Sequence, residues 1–268
     1  MIRFLRPNSH FFRSVYKYST MSYPEVDPAR QAKLVENYER VLSKVKNAET
    51  SKPVRLVAVS KLKPSSDIMA LYNHGVRHFG ENYVQELTAK AKELPKDIQW
   101  HFIGSLQTGK CKDLAKDIDN LYAVETIDAL KKCKKLENAR RAVDFAPINV
   151  YLQINTSSED QKAGYRLENM EEIYETVDFL TNKTECKKLK FEGLMTIGSF
   201  AESTSESGLN QDFAKLAELK KTLDEKFSLD LQLSMGMSND FTTAISQGSS
   251  SVRVGTSIFE ARPPNNGH

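Results

Sequence analysis

The chain has 268 residues, 40% hydrophobic and 27% charged, which suits one well-filled globular core and excludes a disordered or fibrous class. Its formal net charge of +3 is small and its basic residues are dispersed, which argues against nucleic acid; no apolar run approaches membrane-spanning length. Three cysteines, Cys111, Cys133 and Cys186, lie far apart with no C-x-x-C pair, which excludes a disulfide framework and favours a reducing compartment.

Residues 1–20 contain no Asp or Glu, while Arg3, Arg6, Arg13 and Lys17 punctuate Phe4, Leu5, Phe11, Phe12, Val15 and Tyr16. That is the pattern of a mitochondrial presequence, although Pro7 weakens a continuous helix. A leader upstream of a start at Met21 fits equally. The folded domain is expected from residue 27 to residue 264.

Pro28 to Asn47 carries apolar residues at helical spacing and predicts an amphipathic helix that caps the bottom of the fold. Val54 to Val59 is a buried-strand run between Pro53 and Pro64. Ser60 and Lys61 end it, and Ser65 to His74 predicts a helix with Ser65 or Ser66 as its cap, closed by Gly75. Strands are then expected at 76–80, 99–103, 120–124, 148–154, 191–197, 231–235 and 251–254. Helices are expected at 82–94, 107–116, 127–143, 167–181, 209–227 and 238–247. Residues 155–164 and 198–208 are polar loops, the second the more flexible, and the tail from Pro263 is coil. Eight strand–helix alternations predict a single-domain (β/α)8 barrel of the TIM type. An open doubly wound sheet would usually carry a glycine-rich turn after its first strand, and Lys61-Leu62-Lys63-Pro64 is not one.

In such a barrel, chemistry sits where strands end and helices begin. Those ends are Lys61, Asn82, His101 with Gly104, Asn155, Thr196, the Gly236–Ser238 turn and the Gly255–Ser257 turn. A lysine leaving a buried strand loses hydration, and such an amine can attack an aldehyde to form a Schiff base; the plainer alternative is a solvated lysine. The last two turns suit a phosphate. Gly236 and Gly255 let the backbone approach an anion, Ser238, Thr256 and Ser257 offer hydroxyls, and helix starts offer amides. Ser238 is expected to cap its helix as well. Arg253 shares a strand face with Gly255. Lys162, in the loop after the fifth strand, either meets an incoming phosphate or is plain surface. His101 reads as a hydrogen-bonded core histidine rather than a general base, and the histidines show no metal-ligand spacing.

Six stretches, taken in order, resemble the pyridoxal-phosphate homeostasis protein family, itself similar to the barrel domain of alanine racemase. They are Leu56 to Lys61 with Lys63-Pro64, His78 to Glu86, Trp100 to Gln107, Gly193 to Ile197, Ser234 to Asp240, and Val252 to Phe259. The resemblance spans nearly the whole chain. It implies pyridoxal 5′-phosphate held on Lys61, with Asn82, Ser238, Arg253, Gly255 and Thr256 as further cofactor-binding residues. It also implies a role in vitamin B6 homeostasis in cytoplasm or mitochondrion, a monomer, PLP-dependent apo-enzymes as partners, and no nucleic acid or membrane. By resemblance to the racemase barrel, Arg253 faces the pyridine nitrogen, where a fixed cation opposes a second proton and makes the ring a poor electron sink. The alternative is an amino-acid racemase, which needs acid–base groups on both faces of its substrate. The racemase supplies one from a second domain, and this chain ends soon after its eighth strand. Two departures from the family pattern stand out: Gly109 where a polar residue is usual, and Glu260 where a glycine usually follows Ile-Phe.

Overall fold

The structure is a computed structural model describing residues 22–49, 52–157, 159, 161–204 and 208–261. The leader or presequence at 1–20 and the coil from Pro263 lie outside the described residues.

Nine strands are present among the described residues: β1 (Arg55–Val59), β2 (His78–Glu81), β3 (Gln99–Phe102), β4 (Leu121–Ile127), β5 (Ile148–Asn155), β6 (Tyr165–Arg166), β7 (Leu189–Met195), β8 (Gln232–Ser234) and β9 (Ser251–Val254). The helices are α1 (Pro28–Ala48), α2 (Ser65–Asn73), α3 (Val84–Glu93), α4 (Cys111–Asp117), α5 (Leu130–Arg141), α6 (Met170–Thr181), α7 (Phe200–Ser203), α8 (Gln211–Phe227), α9 (Phe241–Ser246) and α10 (Thr256–Phe259). All pairings are parallel, in the order β4-β3-β2-β1-β9-β8-β7-β5, and β4 pairs with β5 to close the ring. This is the expected eight-stranded barrel. The two-residue β6 is an addition, paired to the end of β5 and lying just after the 155–164 stretch expected to be loop.

The main apolar core lies between sheet and helices, where Leu56, Ala58, Val252 and Val254 meet Leu34, Ile68, Leu71 and Ala244. Alternation sends the intervening residues inward. The inside of a TIM barrel is usually filled with branched aliphatics. Here it holds a small apolar cluster of Ala123, Tyr151 and Met195, and beside it buried His101, Glu125, Ser234 and Arg253.

Helix α1 does not cap the barrel bottom as expected. It packs along the wall against α2, α9 and α10. The reason is the shortness of α10, a four-residue helix that cannot cover β9 and β1 alone. Buried Leu34, Val41 and Val45 fill that gap. Asp27 caps α1 by accepting from the Arg30 amide at 2.8 Å, and Pro28 opens it. The expected serine cap of α2 is absent. Pro64 occupies the cap position, and the Ser65 hydroxyl donates instead to Glu93 Oε2 at 2.6 Å. The fourth strand runs on to Ile127, three residues past its expected end, which places Glu125 inside the barrel. In the loop expected to be the more flexible, Phe200–Ser203 forms a helical turn capped by Ser199.

Candidate functional site

The turn after β1 carries Lys61, and it is clamped from α3. Buried Lys90 donates to Ser60 O at 2.9 Å, Glu81 Oε1 at 2.8 Å and Glu86 Oε1 at 2.7 Å. Glu86 Oε1 also accepts from the Leu62 amide at 2.6 Å, and the Ser60 hydroxyl donates to Glu81 Oε1 at 2.6 Å. Leu62 sits at φ 59°, a conformation costly for a branched residue, so the clamp must hold it there. Lys61 is left pointing out of the turn. It is exposed on a cleft wall, so the desolvation expected at a strand exit is not what prepares this amine.

The cleft has a volume of about 520 Å³ and opens at the C-terminal ends of the strands. Lys61, Asn82, Ser238, Arg253, Gly255 and Thr256, all six sequence-predicted site residues, line it. At one side, Thr256 Oγ1 donates to Ser238 Oγ at 3.1 Å, so the two hydroxyls converge. Gly236 holds φ 97° beside them, and a Cβ there would fall 2.6 Å from Ala244 Cβ, so only glycine fits. Ser238 does not cap α9. That helix starts at Phe241, and Asp240 takes the cap position, its Oδ1 accepting from the Met237 amide at 2.7 Å. Ser238 is thereby free of the capping role.

Arg253 is buried at the cleft floor. Its Nη2 donates to Thr196 O at 2.8 Å and its Nη1 to Ser234 Oγ at 2.6 Å. Burial pulls its guanidinium below the ordinary arginine range, opposed by the charge of Glu125. Asn82 directly follows β2, and its Oδ1 is buried without a partner. A Cβ on Gly104 would lie 1.9 Å from Asn82 O, so the loop after β3 rests directly on this backbone. Asn82 also lines a second, more polar cavity of about 190 Å³ with Thr126, Gln153 and Asn155. Lys162 spans the mouths of both cavities, donating to Glu159 Oε1 at 2.7 Å and Gly198 O at 2.8 Å. Ile197, Phe200 and Met237 leave an exposed apolar rim on the cleft.

His101 is fully buried between Glu125 and His78, the core histidine expected. Gly109 is not sterically required, since a Cβ there would meet no atom within 4 Å. Glu260 adds a carboxylate that accepts from Arg30 Nη1 at 2.7 Å, tying the end of α10 to α1. Sequence reasoning missed Glu125 and the role of Ser234. The visible signal was a glutamate inside the apolar run Tyr122-Ala123-Val124-Glu125-Thr126-Ile127. Among the described residues no His, Cys, Asp and Glu group could hold a metal ion, and no helix is long and apolar enough to cross a membrane.

Comparison with known proteins agrees with this geometry. A family model described as alanine racemase, N-terminal domain, matches residues 30–263. A pyridoxal phosphate homeostasis protein of Schizosaccharomyces pombe is 46% identical over 223 residues, covering 83% of this chain and 90% of that protein. The human protein of the same name is 42% identical over 217 residues, covering 78% of this chain and 76% of that one. Among solved structures, PipY of Synechococcus elongatus with PLP bound aligns at TM-score 0.69 and 28% identity, covering 84% of this chain and 99% of that one. Alanine racemase of Clostridium difficile aligns at TM-score 0.64 and 15% identity, covering 93% of this chain and 64% of that one, a likeness of fold alone. With that fold, that cleft and those relatives, the chain belongs to the pyridoxal phosphate homeostasis protein family.

Proposed function

We propose that this barrel binds pyridoxal 5′-phosphate through Lys61 and serves cellular handling of the cofactor as a monomer, passing it to PLP-dependent apo-enzymes. The observation that carries this reading is the meeting of three separate requirements in one cleft: a primary amine, a buried cation and paired hydroxyls beside a glycine turn. Lys61 would hold the aldehyde carbon. Ser238 and Thr256 would donate to the phosphate, and Gly236 and Gly255 leave their backbone open to it. Arg253 would face the ring nitrogen, and Asn82 would border the ring. When bound, the cofactor supplies an aldehyde that amines can capture. PipY with PLP bound supports the ligand, and the names of the relatives support the role. The three cysteines are free and buried, in keeping with a reducing cytoplasm or mitochondrial matrix.

The test is borohydride reduction of the loaded protein followed by peptide mass spectrometry. The adduct is expected on Lys61 and is lost in Lys61→Ala. An adduct on Lys63 or Lys162 refutes the assignment. Alanine or serine incubated with the loaded protein in deuterated water should give no racemised or transaminated product. Multiple turnover on the order of 1 s⁻¹ would favour the racemase alternative.

A further inference from the structure

A row of buried polar side chains crosses the inside of the barrel. Glu125 is fully buried on β4. Its Oε1 lies 2.6 Å from His101 Nδ1, and its Oε2 accepts from Ser234 Oγ at 2.5 Å. Ser234 Oγ in turn accepts from Arg253 Nη1 at 2.6 Å, and Arg253 Nη1 stands 3.8 Å from Glu125 Oε2. On the other side, His101 Nε2 meets His78 Nδ1 at 2.9 Å. Burial, then the neighbouring His101 and Arg55, push His78 down to about 3, so it is neutral at ordinary pH. His101 Nδ1–H faces the carboxylate, and its Nε2 shares a hydrogen bond with His78 Nδ1. His101 and Ser234 both meet Glu125, and the row ends at Arg253 in the cleft.

A buried polar row is costly, and apolar side chains would fill a barrel more cheaply. What they could not do is hold a guanidinium at the cleft floor. Among the described residues, Glu125 is the only carboxylate within 4 Å of Arg253. Asp240 and Tyr151 act on it from farther away, and Tyr151 also faces Glu125. We propose that Glu125 is a positioning residue: through the Ser234 hydroxyl it fixes the Arg253 guanidinium in the cleft, and so keeps the cofactor's ring nitrogen unprotonated. The proposal rests on the reading that pyridoxal phosphate occupies this cleft. Without Glu125 the guanidinium would be a buried cation facing only neutral acceptors, Ser234 Oγ and Thr196 O. It would turn toward water in the cleft and leave the ring nitrogen to solvent.

The experiment loads full-length protein with pyridoxal phosphate labelled with nitrogen-15 in the ring and follows the ring signal by NMR from about pH 6 to 9. Wild type should stay unprotonated throughout. Arg253→Gln should bring a titration into that window, calibrating the loss of the cation. Glu125→Gln should follow Arg253→Gln, with a midpoint raised by about one unit or more. A Glu125→Gln protein that folds, loads on Lys61 and keeps the wild-type signal overturns the proposal. If Glu125→Gln fails to fold by circular dichroism, Ser234→Ala carries the test, because it leaves the Glu125–His101 bond in place. A shift toward Arg253→Gln supports the proposal, and a wild-type signal overturns it. Failure of the underlying reading looks different: no Lys61 adduct in wild type, or an Arg253→Gln signal identical to wild type, removes the ring contact itself.

Discussion

Replacing Lys90 by methionine tests the clamp under the Lys61 turn. Methionine keeps much of the stem and removes the charge. Lys90 is 6% exposed and Glu81 0% exposed, so the pair cannot be replaced by water. After the substitution Glu81 keeps one donor, the Ser60 hydroxyl at 2.6 Å, while its Oε2 has no partner even in the wild type. Removing one partner of a buried pair costs about 3–5 kcal/mol. The Glu86 side chain is 19% exposed and can recover solvent, so the lower end, ~3 kcal/mol, is expected. The loss should depend on pH. Burial already holds the Glu81 carboxyl above its ordinary range, with Lys90 opposing. A carboxyl raised in the folded state binds its proton more tightly there than in the unfolded chain. Its contribution is present below the unfolded value and is lost as pH rises through the folded one. Without Lys90 the folded value climbs further, so the destabilisation at about pH 8 exceeds that at about pH 5. Urea denaturation at both pH values measures it, and Lys90→Met combined with Glu81→Gln should recover most of the loss. A loss below about 1 kcal/mol, or one independent of pH, refutes the role given to the clamp.

Ser238→Ala with Thr256→Ala should weaken binding of pyridoxal phosphate far more than of unphosphorylated pyridoxal, by roughly 1.5–3 kcal/mol for each hydroxyl lost. Equal loss for both ligands, read by absorbance titration, would remove these hydroxyls from the phosphate site. Glu260→Gly should raise Tm by about 2–4 °C in calorimetry, because Glu260 holds φ 67° and its ion pair to Arg30 is exposed, while Arg30 keeps Asp67 at 2.8 Å. A lower Tm would mean that the carboxylate contributes more than the backbone strain costs. A reporter joined to residues 1–23 should enter mitochondria, whereas a product starting at Met21 stays in the cytosol. An exclusively cytosolic long form contradicts the presequence.

Much of the barrel is written locally. Several strands announce themselves by an apolar run such as Leu56–Val59, and the long helices by their spacing, as in α1, α6 and α8. The lysine was legible because a strand exit next to a proline is a local event. The glycine–hydroxyl turns were legible because close backbone approach demands glycine. Errors fell where several local solutions compete. Ser65, Ser66 and Ser238 all have capping chemistry, yet Pro64 and Asp240 hold the cap positions, because tertiary partners set where α2 and α9 begin.

The sequence by itself therefore determined the eightfold alternation, the lysine at the first strand end and the turns that line the cleft with it. The tertiary structure alone decided what stands behind them. Glu125 and Ser234 are 109 positions apart, Arg253 and Thr196 are 57 apart, and Arg30 and Glu260 are 230 apart. Periodicity tells which face of a strand a residue occupies, but not which polar group stands opposite once the barrel closes. That pairing follows from strand order and register, in which Val57 lies beside Arg253 and Ser234 beside Ser251. Closing the ring converts scattered polar residues into one buried row, and the low dielectric there makes each of its partners count.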